Sequence, residues 1–428
     1  MDQTFEQVAR AKALLCGVLS PPQPGRAPVH GRHTVVVSAG LHRAVTGAGP
    51  AVDALGCAEV LHGAASDTDP DLATLKARME ALERYASVAG ANERSTLASA
   101  AELGASALPL LQIPRHDVTE PGRRSGSYGA LGARDRVRWV PATRCGDGAE
   151  VFVPTVMVFN VPAQHPGEQF WVPVSTGTAA HLSWSQALEN ALLEVVERDA
   201  VALTWLLRIP GRRLPDKAGA TGAPDHRSSP DSPTVDHEHV LARWDITSDL
   251  GVPTVLSVLS GPDHRLRHVV GAAARMSLSD AAEASSAEAA QIQAGLRVAV
   301  RSGDRPPGSP ARCRRIHDGA LFTAQDGRAD CFSFLSGGAL QVPPLRRTPP
   351  PPPSLDLVQH LAAAGHDAYA VDLTPPDVAA AGLRVVRAVV PSLQPLSPVF
   401  AARYLASDRL RRTGISLTEV NPLPYPLA

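Results

Sequence analysis

The pattern Glu-x-x-Glu-Arg occurs twice in this chain of 428 residues, at positions 80–84 and 194–198. Each copy lies in a stretch whose apolar residues recur at helical spacing, which predicts an amphipathic helix. Residues three and four positions apart share one face of a helix, so each copy presents two carboxylates beside one guanidinium. If two such helices meet, four carboxylates and two arginines converge, a set that suits divalent cations bridging a polyphosphate.

The composition is that of a globular protein without a strong electric field. Hydrophobic residues make up 44% of the chain, which is long enough to bury a sizeable core, and the formal net charge is −1. So small a charge gives no attraction for nucleic acid or an anionic membrane, and neither is expected as a partner. No apolar run reaches the roughly 18 residues that a membrane span needs, and the first residues lack the basic and apolar regions of a secretory signal.

The five cysteines are widely scattered along the chain. No two of them have the short spacing of a zinc site or a redox pair. This pattern is typical of reduced thiols, and we therefore expect a cytoplasmic protein.

Helical and strand patterns alternate along the chain, which predicts an α+β (mixed α/β) fold. Apolar residues at helical spacing predict helices over residues 71–90, 185–207, 280–300, 355–365 and 399–412. Short β-rich runs predict strands over residues 34–38, 150–160, 254–259, 269–272, 368–371 and 383–390. The recurrence of the acidic motif also indicates two pseudo-symmetric halves, each with one acidic helix.

Three segments are predicted to be loops or linkers. Residues 113–137 are rich in charged residues, Gly and Ser and have little periodicity. Residues 209–236 have too little apolar surface to offset the entropy cost of ordering, so we expect them to be disordered. Residues 342–354 include a run of five prolines, which favours an extended spacer.

The residues that precede the second acidic motif are informative. Residues 175–181 contain a glycine turn, which we expect to lead into the helix and to leave backbone N–H groups open to an anion. Within the helix, Gln186 and Asn190 continue the acidic motif as one polar stripe. A single stripe of this kind is normally a solvated face. The apolar continuation at residues 200–207 and the earlier copy of the motif favour a buried, functional stripe instead.

These features make the chain resemble the YcaO superfamily of ATP-dependent enzymes that activate peptide backbone amides. The matching segments occur in the family's order, at residues 62–67 with 76–85, 139–141 with 153–154, 175–180 with 194–200, 245–253, 280–291, and 372–378 through 391–395. The resemblance spans roughly residues 60–428. It implies a YcaO-type ATP-binding domain over residues 61–428 that follows an N-terminal extension at 1–60.

The resemblance also implies roles for individual residues. The family's Mg²⁺ ligands would be Glu80, Glu83, Glu194 and Glu197. Its ATP contacts would be Lys76, Arg84, Ser175, Gln186, Asn190, Arg198, Gln291 and Arg297. The last two belong to a Gln-and-Arg element of a later helix, for which Gln293 and Arg301 are further candidates.

The chain departs from the family pattern at four positions. Lys76 replaces a serine, Gln186 a glutamate and Asn190 a histidine, and the Ser-Asn-Gly turn is Ser-Thr-Gly at residues 175–177. The loss of one carboxylate lowers the negative charge of the site and would weaken metal binding. These changes leave open a catalytically impaired homologue that acts as a scaffold subunit.

The C-terminal segment carries the spacing Pro-x-Pro-x-Pro at Pro422, Pro424 and Pro426. A proline-rich tail alone is usually frayed surface. In azoline-forming members of the family a similar tail reaches toward the active site, and the resemblance implies the same catalytic placement for these three prolines.

The implied activity is ATP-dependent conversion of Cys, Ser or Thr in a ribosomal precursor peptide to thiazolines or oxazolines. Only about 60 residues precede the family domain. We therefore expect a separate leader-binding partner of the E1-like (ocin-ThiF) type. The resemblance further suggests a homodimer and, where azolines are oxidised to azoles, a flavin dehydrogenase. Besides the scaffold subunit, formation of thioamides or amidines is an alternative with the same ATP chemistry.

Overall fold

A computed structural model of the chain describes residues 19–24, 33–39, 61–116, 128–215, 239–315, 317–337, 356–397 and 399–427. The proline-rich linker, residues 216–236 of the segment expected to be disordered, and most of the N-terminal extension lie outside these ranges. None of the helices in the described ranges has the length and apolar character of a membrane span.

Helices of very different length occur in the described part of the chain. They are α1 (Pro70–Ala86), α2 (Ala100–Leu103), α3 (Thr155–Val158), α4 (Trp184–Leu207), α5 (Leu278–Arg301), α6 (Asp318–Thr323), α7 (Leu357–Ala363), α8 (Pro376–Ala380) and α9 (Asp408–Arg411). The three long helices α1, α4 and α5 are those that position the site. Each begins at a side chain that caps the free N–H groups of its first turn: Asp69, Ser183 and Ser277.

The strands form three antiparallel sheets. They are β1 (Gln23–Pro24), β2 (His33–Ala39), β3 (Leu61–Asp67), β4 (Thr96–Ala98), β5 (Val137–Arg144), β6 (Glu150–Pro154), β7 (Thr178–His181), β8 (Arg212–Arg213), β9 (Val240–Asp245), β10 (Thr254–Ser260), β11 (His268–Ala274), β12 (Tyr369–Asp372) and β13 (Arg384–Val389). Their orders are β1-β2-β3, β4-β5-β12-β13-β7 with β6 on β5, and β11-β10-β9-β8. Thus β3, β7 and β11 each lie at the edge of a sheet within the described residues.

Several expectations from the sequence are corrected. Residues 399–412 do not form one helix: a 3₁₀ turn at Phe400–Ala402 and the short α9 share this span, with a turn at residues 405–406 between them. Residues 209–215 are ordered, because β8 pairs with β9 there and Leu214 is buried. The boundary expected at residue 61 separates two strands of one sheet, since β2 pairs with β3 along its whole length.

The centre of the fold is a strand–helix unit that occurs three times, whereas the acidic motif in the sequence occurs twice. Unit 1 is β3 with α1, unit 2 is β7 with α4, and unit 3 is β11 with α5. Each unit has a glutamate at the same distance after its helix N-cap: Glu80, Glu194 and Glu288. Each also has a glycine at the same distance before that N-cap: Gly63, Gly177 and Gly271.

Two of these glycines allow a helix to pack closely on its own strand. A Cβ on Gly63 would lie 2.1 Å from the carbonyl oxygen of Ala77, and one on Gly271 would lie 2.3 Å from the backbone nitrogen of Ala289. A Cβ on Gly177 would instead lie 2.6 Å from the carbonyl oxygen of Ala388 on β13 and 2.8 Å from the side chain of Val195, and the φ of +80° at Gly177 itself favours glycine. The close approach of helix backbone and strand is therefore a property of units 1 and 3.

The units close into a ring because each helix also packs on the strand of the next unit. Helix α1 packs on β7, α4 on β11 and α5 on β3. We refer to these three contacts as junctions 1–2, 2–3 and 3–1. The apolar end of α4 lies inside the protein, as expected from the sequence: Val201, Leu203 and Trp205 are almost fully buried beside the aromatic residues Phe332 and Phe334.

Candidate active site

The ring of three units surrounds one large cavity of about 1320 Å³. All four glutamates of the two sequence motifs line this cavity, together with Glu288 of the third helix. The meeting of the acidic helices that the sequence predicted is therefore present.

The first glutamate of each unit closes the edge of its own strand. Glu80 Oε2 accepts a hydrogen bond from the N–H of Ala64 at 2.9 Å. Glu194 Oε2 accepts one from Gly177 at 2.9 Å, and Glu288 Oε2 accepts one from Ala272 at 2.7 Å. An edge strand presents unpaired backbone groups, so these carboxylates replace the missing neighbour strand.

The second glutamate of units 1 and 2 reaches across a junction to the next strand. Glu83 Oε1 accepts a hydrogen bond from the N–H of Ala180 at 2.8 Å. Glu197 Oε2 accepts one from the N–H of Ala274 at 3.2 Å. The equivalent residue of unit 3 is Gln291, whose amide nitrogen donates to Glu80 Oε2 at 3.3 Å. Junction 3–1 therefore has a neutral side chain where the other two have a carboxylate.

The two arginines of the motifs form ion pairs with the glutamates. Arg84 donates to Glu80 Oε1 at 2.8 Å. Arg198 is 16% exposed, and its guanidinium lies 2.9 Å from Glu197, 3.4 Å from Glu194 and 3.9 Å from Glu288. One cation thus compensates three carboxylates that come from two different helices.

Burial and crowding of like charges disturb the ionisation of the junction carboxylates. Burial, and then the charges of Glu80 and Glu194, hold the pKa of Glu83 well above its usual range. Burial also raises the pKa of Glu197 to about 8; Glu288 and Glu194 add to this effect, while Arg198 opposes it. The pKa of Glu288 is raised as well, chiefly by burial. A cation entering the cavity would therefore compete with protons.

The other residues carried over from the family divide into two groups. Three of them, Lys76, Ser175 and Asn190, line the cavity, as do Arg84, Arg198 and Gln291. Two, Gln186 and Arg297, lie outside the cavity wall, and their contact with ATP stays a prediction. Gln186 is in the first turn of α4, where its N–H and side chain bond to the hydroxyl of Ser183 and so cap the helix. Arg297 lies a further turn and a half along α5 and is not part of the cavity wall.

Two further expectations about these segments change. Of the alternative candidates on α5, Gln293 is fully buried outside the cavity wall and Arg301 is exposed at the helix end. The glycine turn at residues 175–177 leads into β7 and not directly into α4. The N–H of Gly177 donates to Glu194, so this turn adjoins a strand edge and not a helix start.

The C-terminal segment is packed against the core and reaches the cavity. The N–H of Asn421 donates to Leu206 at 2.8 Å, and the indole of Trp205 donates to the carbonyl oxygen of Leu423 at 3.3 Å. Of the three prolines, Pro424 lines the cavity, with Tyr425 and Leu427, whereas Pro422 and Pro426 do not. The tail thus borders the cavity at Pro424, and a catalytic role for the tail stays a prediction.

Glu288 and His181 are among the residues that line the cavity without having been predicted from the sequence. Glu288 follows its N-cap at the same spacing as the other two glutamates, and this spacing was the signal that could have revealed it. It belongs to a Glu-x-x-Gln pattern in which Ile292 replaces the arginine, so it does not match the Glu-x-x-Glu-Arg motif. His181, at the end of β7, also lines the cavity.

The donor set suits Mg²⁺ shared between protein and phosphate. Within the described residues, no group of three or more acidic, His or Cys side chains is arranged to enclose a metal ion. Backbone N–H groups and arginines engage several of the glutamate oxygens. Mg²⁺ commonly takes one or two carboxylates and completes its octahedron with water and phosphate oxygens. The carboxylates of this cavity, which retain further lone pairs, fit that arrangement.

A ring of helices that brings five glutamates and two arginines to one cavity is suited to an enzyme that binds a charged ligand together with a divalent cation. The family model described as YcaO cyclodehydratase, ATP- and Mg²⁺-binding, matches residues 66–394. The chain therefore belongs to the YcaO family.

Solved structures share the fold. A heterocyclase in complex with substrate and cofactor matches with a TM-score of 0.73 at 19% identity; the match covers 100% of this chain and 57% of that one. YcaO from Methanopyrus kandleri, bound with AMPPCP and Mg²⁺, matches with 0.57 at 19% identity and 92% coverage of both chains. The E. coli microcin synthetase McbBCD complex with pro-MccB17 bound matches with 0.60 at 13% identity, covering 95% of this chain and 96% of that one.

This chain thus spans a little more than half the length of the heterocyclase that it matches. The comparison with curated proteins finds no significant match.

Proposed function

We propose that this protein is an ATP-dependent peptide cyclodehydratase, which converts Cys, Ser or Thr residues of a ribosomal precursor peptide to thiazolines or oxazolines. The observation that carries the proposal is the convergence of Glu80, Glu83, Glu194 and Glu197 on one cavity. Membership of a family described as ATP- and Mg²⁺-binding cyclodehydratases supports the same conclusion.

In this reaction the substrate supplies the nucleophile. Its thiol or hydroxyl adds to the preceding backbone carbonyl, the oxyanion takes the terminal phosphoryl group of ATP, and phosphate then leaves with the former amide oxygen. The thiol or hydroxyl proton and the amide proton are released, so each ring loses the elements of one water. The enzyme must position the reactants and compensate charge, and needs no nucleophile of its own.

The residues that line the cavity divide these tasks. Arg84, Arg198 and Lys76 provide positive charge toward phosphate oxygens, and Ser175 and Asn190 provide hydrogen bonds. Mg²⁺ held by the four motif glutamates would neutralise charge on the triphosphate. Pro424 forms part of the cavity wall. The hydrogen bonds of Asn421 and Leu423 to α4 fix its position.

A protein partner and a subunit arrangement belong to the same proposal. The heterocyclase that this chain resembles is a longer chain, and the microcin synthetase is a complex. We propose that a separate E1-like partner captures the leader of the precursor peptide, that the protein forms a homodimer, and that it acts in the cytoplasm. Within the described residues Cys145, Cys313 and Cys331 are free thiols, which fits a reducing compartment.

The test is conversion of a precursor peptide by the purified protein with its partner and Mg-ATP. We expect a loss of about 18 Da for each ring, as one water is removed, with release of ADP and phosphate. Glu194→Ala should abolish both. Glu189→Ala is the matched control, because Glu189 lies on the same helix but is exposed and outside the cavity wall.

The outcomes separate the alternatives. A peptide that stays intact while ATP is bound would indicate the scaffold subunit instead. A product whose formation depends on added sulfide would indicate a thioamide-forming enzyme. A protein that binds no nucleotide, alone or with its partner, would contradict the proposal altogether.

A further inference from the structure

The three junctions of the ring are equivalent in backbone position but not in side chains. Ala180 and Ala274 lie at the same spacing before the N-caps Ser183 and Ser277, and each donates its N–H to a carboxylate from the preceding unit. Ser66 occupies the same position in unit 1, before the N-cap Asp69. Junction 3–1 is therefore the place where Ser66 would meet a carboxylate if the ring were fully repeated.

The backbone N–H of Ser66 points into the ring. The N–H groups of residues two apart point to the same side of a strand, and that of Ala64 is directed away from β2 to Glu80. Within the described residues no side chain accepts from Ser66, because Gln291, which replaces the carboxylate, turns to Glu80 at 3.3 Å.

The hydroxyl of Ser66 adds a second donor at the same point. Ser66 is 4% exposed and lines the cavity. Its Oγ has no hydrogen-bond partner among the described residues. A buried hydroxyl without a partner costs stability, so a group that accepts from it would be bound favourably.

The charges of α1 near Ser66 are balanced and do not oppose an anionic acceptor, since Lys76 pairs with Asp67 and Arg84 with Glu80. Junction 3–1 has a carboxamide where the other junctions have a carboxylate. Two cationic side chains of α1, Lys76 and Arg84, line the same cavity. The ammonium of Lys76 is held 2.6 Å from Asp67, the residue that follows Ser66. Glu80 is beside the junction and is one of the residues proposed to carry Mg²⁺.

We infer that Ser66 binds the terminal phosphoryl group of the nucleotide, through its N–H and its hydroxyl, at junction 3–1. This inference rests on the proposed function and deepens it, because it gives the triphosphate a direction within the cavity. The group that is transferred lies between α5 and β3, beside Glu80, and the other two junctions keep their N–H groups closed by glutamates. Ser66 is thus a residue that distinguishes ATP from ADP.

The test is nucleotide discrimination by the full chain in the presence of Mg²⁺. Calorimetric titration with AMPPCP and with ADP gives two dissociation constants for the wild type, Ser66→Ala and Ser66→Thr. We expect Ser66→Ala to weaken AMPPCP binding about 10-fold, the effect of one hydrogen bond to a charged group, and to change ADP binding less than about 2-fold. Ser66→Thr keeps the hydroxyl and should bind AMPPCP as the wild type does.

Thr34→Val is the matched control. Thr34 lies directly opposite Ser66 in the β2–β3 pair, is 5% exposed, and likewise has a hydroxyl without a partner among the described residues, but it does not line the cavity. It should leave both dissociation constants unchanged, and thermal unfolding of each variant checks that the fold is kept.

Three results would overturn the assignment. Equal weakening of AMPPCP and ADP by Ser66→Ala would place Ser66 at another part of the nucleotide. Unchanged nucleotide binding with a raised KM for the precursor would place it at the peptide. Unchanged values throughout would remove its role while leaving the proposed function intact, whereas a wild type that binds neither nucleotide would remove both.

Discussion

Glu83 on α1 accepts a hydrogen bond from the N–H of Ala180 on β7, 97 positions away along the chain, at 2.8 Å. The contact joins two units of the ring and closes the edge of a sheet. It also places a carboxylate among like charges, since Glu80 and Glu194 raise the pKa of Glu83 beyond the effect of burial. The carboxylate of Glu83 therefore makes a hydrogen bond between two units and, at the same time, lies where ionisation is unfavourable.

Glu83→Gln separates these two properties. The amide oxygen of glutamine can accept the same bond from Ala180, and the neutral side chain has no ionisation cost. We expect the melting temperature at pH 8 to equal or exceed that of the wild type, while the rate of peptide dehydration falls by about 100-fold or more. Thermal unfolding and peptide mass spectrometry measure the two effects. Exposed Glu93→Gln is the control, and full activity of Glu83→Gln would show that the carboxylate charge is not needed.

The raised pKa of Glu197, at about 8 against an ordinary value of 4.5, predicts a pH dependence of stability. Between these values the folded protein holds a proton that the unfolded chain has lost. The stabilising contribution is therefore complete below about pH 4.5 and is lost as the pH rises through 8. We expect the ligand-free protein to melt at lower temperature at pH 8.5 than at pH 5.5.

Glu197→Gln should reduce this loss, since the glutamine does not titrate. Each kcal/mol removed from the pH dependence corresponds to about 2–4 °C in the melting temperature of a domain of 150–250 residues. Differential scanning calorimetry at pH 5.5, 7.0 and 8.5 compares the two proteins. Parallel curves for wild type and variant would mean that Glu197 is already ionised in the folded state.

The sequence predicts the helices of the ring much better than its strands. Helices α1, α4 and α5 have apolar periodicity and side chains that cap their first turns, which are local signals. Strand β3, with the residues Gly63, Ala64, Ala65 and Ser66 in its centre, lacks the β-branched and aromatic residues that mark a strand. Its edge is completed by Glu80, 16 positions away from Ala64, a contact that no local pattern reveals.

The difference between local and long-range signals also explains which parts of the candidate site were predicted from the sequence. Two copies of one motif were enough to predict that acidic helices meet, because carboxylates on an otherwise apolar helix require partners. The polar stripe of α4 does not reveal that Gln186 bonds to Ser183 in the first turn of the helix. Junction 3–1 was not predictable, since it depends on the ring being closed by three units.

The glycine repeat predicts a large effect of one methyl group. A Cβ at Gly271 would lie 2.3 Å from the nitrogen of Ala289 and 2.4 Å from the carbonyl oxygen of Ser285, both on α5. Helix α5 must then move away from β11, and we expect Gly271→Ala to destabilise the protein by about 3 kcal/mol. Urea unfolding measures this change.

Gly146→Ala provides the comparison for Gly271→Ala. A Cβ at Gly146 would have no neighbour within 4 Å, and its backbone does not require glycine. It should be neutral or slightly stabilising, because alanine restricts the unfolded chain. Equal stability of the two variants would mean that the helix–strand approach at Gly271 is not a tight constraint.

The contact between Gly319 and the C-terminal segment tests how the tail reaches the cavity. A Cβ at Gly319 would lie 2.1 Å from the carbonyl oxygen of Tyr425, so Gly319→Ala must displace the segment that includes Pro424. Hydrogen exchange of a peptide covering residues 417–427 should become faster, because the N–H of Asn421 loses its bond to Leu206 as the segment moves.

If the tail contributes to catalysis, peptide dehydration should fall about 10-fold or more while nucleotide binding changes little. Gly308→Ala, whose added methyl group meets nothing within 4 Å, should change neither. Faster exchange of the tail together with unchanged dehydration would show that Pro424 and its neighbours only cover the cavity and do not act on the substrate.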